Sequence, residues 1–140
     1  MINHLHSLDR INLKIMTRNL LLIAIGSGAG GVARFLCQQF VQKHYPASIP
    51  LGTLSVNIIG CFIIGIIYGL AMKGNILSIE LRLLAAAGFC GGFTTFSSFA
   101  YENIILMQDG KFFYAALYIS LSLIIGFAAV YTGMLLTKLI

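Results

Sequence analysis

Four long stretches of this sequence carry almost no charge, and they constrain the fold more than any other feature. They cover residues 20–41, 51–72, 83–101 and 112–137, and Arg34 is the one charged residue inside them. Each holds 19 to 26 residues. At about 1.5 Å per helical residue, every one of them can cross a hydrocarbon core of about 30 Å. Pro46 and Pro50 both fall in the first connection, where neither breaks a helix. Lys73-Gly74-Asn75 and Gln108-Asp109-Gly110-Lys111 supply turn chemistry for the other two. The reading is an all-α membrane protein of four transmembrane helices per subunit, with both termini on one side. No connection is long enough to hold a soluble domain.

Composition agrees. Apolar residues make up 59% of the 140-residue chain and charged residues 9%, whereas a soluble domain carries roughly a quarter charged residues. Soluble enzymes, nucleic-acid binders and secreted disulfide scaffolds are excluded together. The charges sit between or beside the runs, apart from Arg34 and from Glu102 at the edge of the third. The net charge of +5 therefore belongs to loops facing headgroups, not to a basic face for nucleic acid. Residues 1–15 read either as a polar N-terminal arm or as a start-site extension ahead of a second methionine, Met16, and residues 16–140 as one four-helix transmembrane domain. Length, Arg34 and the lack of an A-x-A site exclude a cleaved signal peptide for the first run. Lys and Arg number six on the terminal side and two on the other, a modest bias toward cytoplasmic termini that is compatible with insertion both ways round.

Cys37, Cys61 and Cys90 lie in apolar runs without CxxC spacing and read as small buried hydrophobes. Gly26-Ser27-Gly28-Ala29-Gly30-Gly31 matches G-x-G-x-x-G, but no strand or βαβ unit surrounds it. Gly26-x-x-x-Gly30 reads instead as a close helix contact, as does the Cys61, Gly65, Gly69 series.

Several polar residues in the runs have two readings. Arg34 is either an interfacial anchor or a positive charge at the mouth of an aqueous pocket. Thr53, Asn57 and Gly60 share one helix face, where Asn57 either joins two helices or offers N–H donors to an anion. In the third run, Gly88-Phe89-Cys90-Gly91-Gly92-Phe93-Thr94-Thr95-Phe96-Ser97-Ser98-Phe99 combines glycines with β-branched threonines. Such a stretch weakens a helix, and freed carbonyls at membrane depth need a partner, which a cation can be. Phe96 and Phe99 share a face and present ring edges of partial positive charge. Glu102 closes the run as an interfacial anchor or a functional acid. Tyr114, Tyr118 and Ser122 place three hydroxyls on one face of the fourth helix, either a polar track or interhelical hydrogen bonds. His4, His6 and His44 lie in the arm or a loop, and no nucleophile has a base at workable spacing, so an enzyme is not expected.

With these residues in view, the chain resembles the Fluc, or CrcB, fluoride channels over residues 16–140. Gly30-Gly31-Val32-Ala33-Arg34, Pro50-Leu51-Gly52-Thr53-Leu54, Asn57-Ile58-Ile59-Gly60 and the stretch from Gly88 through Glu102 carry the resemblance. It implies an antiparallel, dual-topology homodimer in a bacterial inner membrane, with the third helix broken mid-membrane. It implies passive fluoride efflux through two pores and a structural Na⁺ at the dimer interface, held by the carbonyls of Gly91 and Thr94. By the same resemblance Asn57, Phe96, Phe99, Thr53, Ser97, Ser98, Glu102, Tyr118 and Ser122 line the fluoride pathway, and Arg34 stands at its vestibule. Two rival readings are weaker. A small multidrug-resistance-type proton-coupled exporter would want a carboxylate in the middle of the first helix, which has only Arg34. A purely structural subunit leaves Thr-Thr-Phe-Ser-Ser-Phe unexplained.

Overall fold

The structure is a computed structural model that describes residues 2–74 and 76–139. Asn75 of the expected second turn lies outside the described residues. Among these residues every regular element is helical: α1 (Ile2–His44), α2 (Leu51–Ala71), α3 (Ile79–Arg82), a π-wound stretch (Leu83–Cys90), α4 (Gly91–Phe93), α5 (Phe96–Gln108) and α6 (Phe112–Thr137). Four lengths of helix are long and apolar enough to cross a membrane: Asn12–His44, Leu51–Ala71, Ile79–Gln108 and Phe112–Thr137. The chain is a multi-pass membrane protein.

Elements end where the local chemistry requires it. Gly74 and Gly110 take φ of 99° and 72°, the left-handed region that only glycine enters cheaply, and so turn the chain after α2 and α5. The third span begins earlier than hydropathy indicates because Ser78 caps it, accepting from the Leu81 N–H at 3.2 Å. Glu80 then pairs with Arg18 of α1 at 2.7 Å. Helix α1 continues through the polar arm well outside the apolar run.

Close backbone approach organises the packing. A Cβ on Gly26 would meet the backbone of Leu84, Gly88 and Phe89, and one on Gly30 would meet Phe89 and Phe93. Helix α1 is thereby seated against the π-wound stretch and α4. Gly65, Gly69 and Gly133 do the same for the long α2–α6 contact. These are the small-residue contacts expected of helices that gain nothing from excluding water in lipid. Two small apolar cores result. Leu54, Leu106, Ala115 and Tyr118 form one, and Ile67, Ala86 and Cys90 the other. Along α2, Asn57 and Gly60 lie between them.

The outer surface is apolar. Only 11% of the most apolar window of the first span and 17% of the fourth is buried within the chain. Phe35, Ile124 and Phe127 are among the large side chains turned outward. That surface is suited to lipid or to another apolar face, and not to water.

Candidate functional site

The third span changes course just after the glycine pair. Gly91 and Gly92 are helical, and the extended residues are Thr94 (φ −89°, ψ 158°) and Thr95 (φ −149°, ψ 114°). Gly92 is used otherwise: a Cβ there would lie 2.9 Å from Ser27 Cα of α1. Thr94 and Thr95 are β-branched and suit extended backbone.

Asn57 of α2 meets this segment with both ends of its amide. The Thr95 N–H donates to Asn57 Oδ1 at 2.8 Å, and Asn57 Nδ2 donates to the Thr95 carbonyl at 3.1 Å. Backbone groups that leave a helix at membrane depth need such partners. Thr95 Oγ1 caps α5, accepting from the Ser98 N–H at 3.2 Å and donating to Ser98 Oγ at 3.0 Å, and lies 3.3 Å from Ser97 Oγ. Arg34 Nη1 donates to the Thr94 carbonyl at 3.3 Å. Asn57, Gly60, Cys61, Thr94, Thr95 and Phe96 border a cavity of about 230 Å³ beside the interruption.

A second set of polar groups lies nearer the connections. Gln38 Nε2 donates to Thr53 Oγ1 at 3.0 Å, Thr53 donates to Glu102 Oε1 at 2.7 Å, and the Tyr118 hydroxyl donates to Glu102 Oε2 at 2.8 Å. One residue comes from each of the four spans. Thr53 and Tyr118 are fully buried, so these bonds are their means of avoiding orphaned polar atoms in the core. Glu102 also lines a cavity of about 410 Å³ formed with Gln42, Tyr45, Ser48, Pro50 and Gly52. Phe99 packs on this core, with its ring 5.1 Å from Tyr118 and 5.8 Å from Phe96. Phe96 itself is 79% exposed on the single chain.

Of the expected pathway residues, Asn57, Phe96, Ser97 and Ser98 gather at the interruption, and Thr53, Glu102 and Tyr118 form the hydrogen-bonded chain. Phe99 stands between the two groups. Ser122 joins neither: its Oγ is buried without a hydrogen-bond partner. Tyr114 is exposed. Gly91 is exposed with open space where a Cβ would be, and Thr94 carries the Arg34 contact. Sequence reasoning passed over Gln38 and Thr95. Thr95 had a signal, a threonine three residues before a serine at a helix start. Gln38 had a fainter one, since Arg34, Gln38 and Gln42 step by four along one face of α1. Among the described residues no three His, Cys, Asp or Glu side chains are grouped to hold a metal.

The family described as "CrcB-like protein, Camphor Resistance (CrcB)" matches residues 21–134. A protein named "Fluoride-specific ion channel FluC" from Chlorobium phaeobacteroides (strain BS1) is 48% identical over 120 residues, which is 86% of this chain and 93% of that protein. Proteins of the same name from Prosthecochloris aestuarii and Azobacteroides pseudotrichonymphae are 46% and 42% identical, over 84% and 88% of this chain and 91% and 98% of their own lengths.

Proposed function

The chain belongs to the CrcB-like family, and on that premise we propose that it is a fluoride-selective channel that lowers cytoplasmic fluoride by passive efflux. The observation that carries the proposal is what gathers around Thr94 and Thr95: an amide, hydroxyls and two phenylalanine rings, with an acid held by two hydroxyls behind them. The relatives' names support the same reading.

Fluoride is small and strongly hydrated, so a narrow pathway has to replace its water with oriented hydrogens. Asn57 Nδ2 has a second hydrogen beyond the one given to Thr95, and it belongs to a group bordering the 230 Å³ cavity. Phe96 borders the same cavity, and Phe99 leads from it toward Tyr118. Dipoles and ring edges attract an anion without the full positive charge that would trap it, which is the balance that conduction needs. The local guanidinium, Arg34, contributes positive potential while bonded to a backbone carbonyl.

We further assign the assembly as an antiparallel homodimer in a bacterial inner membrane. The exposed Phe96 and the small buried share of each span are consistent with a second copy covering part of the surface. A structural Na⁺ between the copies, on the carbonyls of Gly91 and Thr94, is part of the proposal. The Gly91 carbonyl suits it, because its i+4 partner, the Thr95 N–H, bonds Asn57 instead. The Thr94 carbonyl suits it less simply, since Arg34 already donates there and a cation would share that oxygen. Hard oxygen donors without a carboxylate favour a monovalent ion. When bound, it would add positive potential at the interface and fasten the two interrupted spans together.

Purified protein in liposomes should release fluoride down its gradient, read by electrode, with no proton or sodium gradient present. Transport that strictly requires either gradient refutes the channel and favours a coupled exporter.

A further inference from the structure

Gln38 belongs to none of the residues that the family resemblance marks, yet it begins the hydrogen-bonded chain that joins all four spans. It is seated tightly. A Cβ on the buried Gly52 would lie 3.3 Å from Gln38 Cα and 3.4 Å from Gln38 Cβ. The absence of a side chain at 52 therefore lets α2 approach α1 at this level, and Thr53, one residue on, comes within 3.0 Å of Gln38 Nε2.

The direction of the bonds follows from the inventory of hydrogens. Glu102 accepts at both oxygens, from Thr53 at 2.7 Å and from Tyr118 at 2.8 Å, and Thr53 has one hydroxyl hydrogen, which is the one given to Glu102 Oε1. Thr53 Oγ1 can then meet Gln38 only as an acceptor, which requires the NH₂ end of the amide to face it. Gln38 in turn blocks the rotation that would aim a Thr53 lone pair toward Glu102 and the cavity it lines. A hydroxyl hydrogen in that place holds the Glu102 carboxyl beside the cavity it lines, and a lone pair there would repel it. Gln42, one turn further along α1, lines the same 410 Å³ cavity as Glu102. This face of α1 thus runs from that cavity to the start of the chain.

We propose that Gln38 is a positioning residue of the pathway, fixing the Thr53 hydroxyl as a donor toward Glu102. The inference rests on the channel reading. Its test compares fluoride efflux from liposomes for wild type, Gln38→Met, Gln38→Glu, Thr53→Val and the two double variants, each normalised to folded protein. Methionine keeps the length and bulk of glutamine without its donor. Glutamate keeps the shape and offers Thr53 an acceptor, which draws the hydroxyl hydrogen away from Glu102. Each single Gln38 change should lower throughput about five-fold, the worth of one hydrogen bond. In the Thr53→Val background, where no hydroxyl is left to orient, either change should cost no more than about two-fold. Full throughput in both Gln38 variants overturns the inference and leaves the channel standing. So do losses that multiply undiminished in the Thr53→Val background. A wild type that passes no fluoride overturns the channel reading, and this inference with it.

Discussion

Replacing Asn57 by leucine isolates what the asparagine does for the backbone from what it offers an ion. The two side chains are close in size, so packing is nearly conserved. The change removes both bonds to Thr95: the one at 2.8 Å to its N–H and the one at 3.1 Å to its carbonyl. Thr95 is 6% exposed, so both backbone groups lose their protein partners in a largely buried place. Each orphaned buried group costs about 1–3 kcal/mol, so the pair costs about 2–6 kcal/mol. The greater ease of placing leucine in hydrocarbon offsets part of this and keeps the net loss toward the lower end. Equilibrium unfolding in detergent micelles should show the loss. Hydrogen exchange at the Thr95 amide should locate it, rising about tenfold for each 1.4 kcal/mol of local stability removed. Ile58→Leu, at the next position on α2, serves as the control and should change neither. Asn57→Leu with stability within about 0.5 kcal/mol of wild type and an unchanged Thr95 amide would refute the reasoning, because the interruption would then be held by something else.

Phe96→Ile and Phe99→Ile should each cut fluoride throughput more than Phe62→Ile, whose site is the apolar groove between α2 and α6. Equal transport in liposomes by all three would mean that the pair is only packing. The exposed Phe96→Ile should leave stability within about 0.5 kcal/mol. Gly92→Ala should destabilise the subunit by about 1–3 kcal/mol in a detergent melt, because its methyl would press on the Ser27 backbone, while Gly91→Ala should not. Similar melts for the two would contradict the packing described. Accessibility labelling of C-terminal tags in cells should find comparable populations on both membrane faces, and a population on one face only would rule out dual topology. Crystals soaked in Tl⁺ should give an anomalous peak between the Gly91 and Thr94 carbonyls. A featureless map with those carbonyls bonded to amides would remove the cation site.

The spans were legible because hydrocarbon thickness imposes a length that hydropathy measures directly. Their ends were less so. Hydropathy stops at Arg82, whereas the helix begins at Ile79, because Ser78 caps it and Arg18 neutralises Glu80. The third run reads as weakened by its Gly-Gly pair and its threonines together; in the structure the glycines are helical and the extended residues are the threonines. Gly92 is there for close approach to α1, and the course changes at Thr94 and Thr95. Glycine has two uses in a membrane helix, backbone freedom and small size, and one sequence cannot say which applies. Arg34 shows the same limit. Its place near the end of a run allowed an anchor or a vestibule charge, and the fold gives its Nη1 to a carbonyl of another span.

The chain from Gln38 to Tyr118 was hidden for a different reason. Each member is one of several polar residues on its span, and neither hydropathy nor spacing says which of them meet across spans. A depth argument recovers more. Gln38 lies within about two turns of the end of the first span, Thr53 near the start of α2, Glu102 within about two turns of the end of the third span and Tyr118 within about two turns of the start of α6, so all four stand toward the connections on one side of the membrane. Polar groups at a common depth have one another as partners, because lipid offers none. Toward the opposite side, α2 and α6 meet mainly through Gly65, Gly69 and Gly133, and the Thr137 hydroxyl bonds back to its own helix. A single copy therefore presents its polar network in one half of the membrane. A parallel pair would double that half and leave the other apolar. In the antiparallel pair proposed above, the second copy would set the same network in the opposite half, which gives the weak charge bias of the connections a purpose.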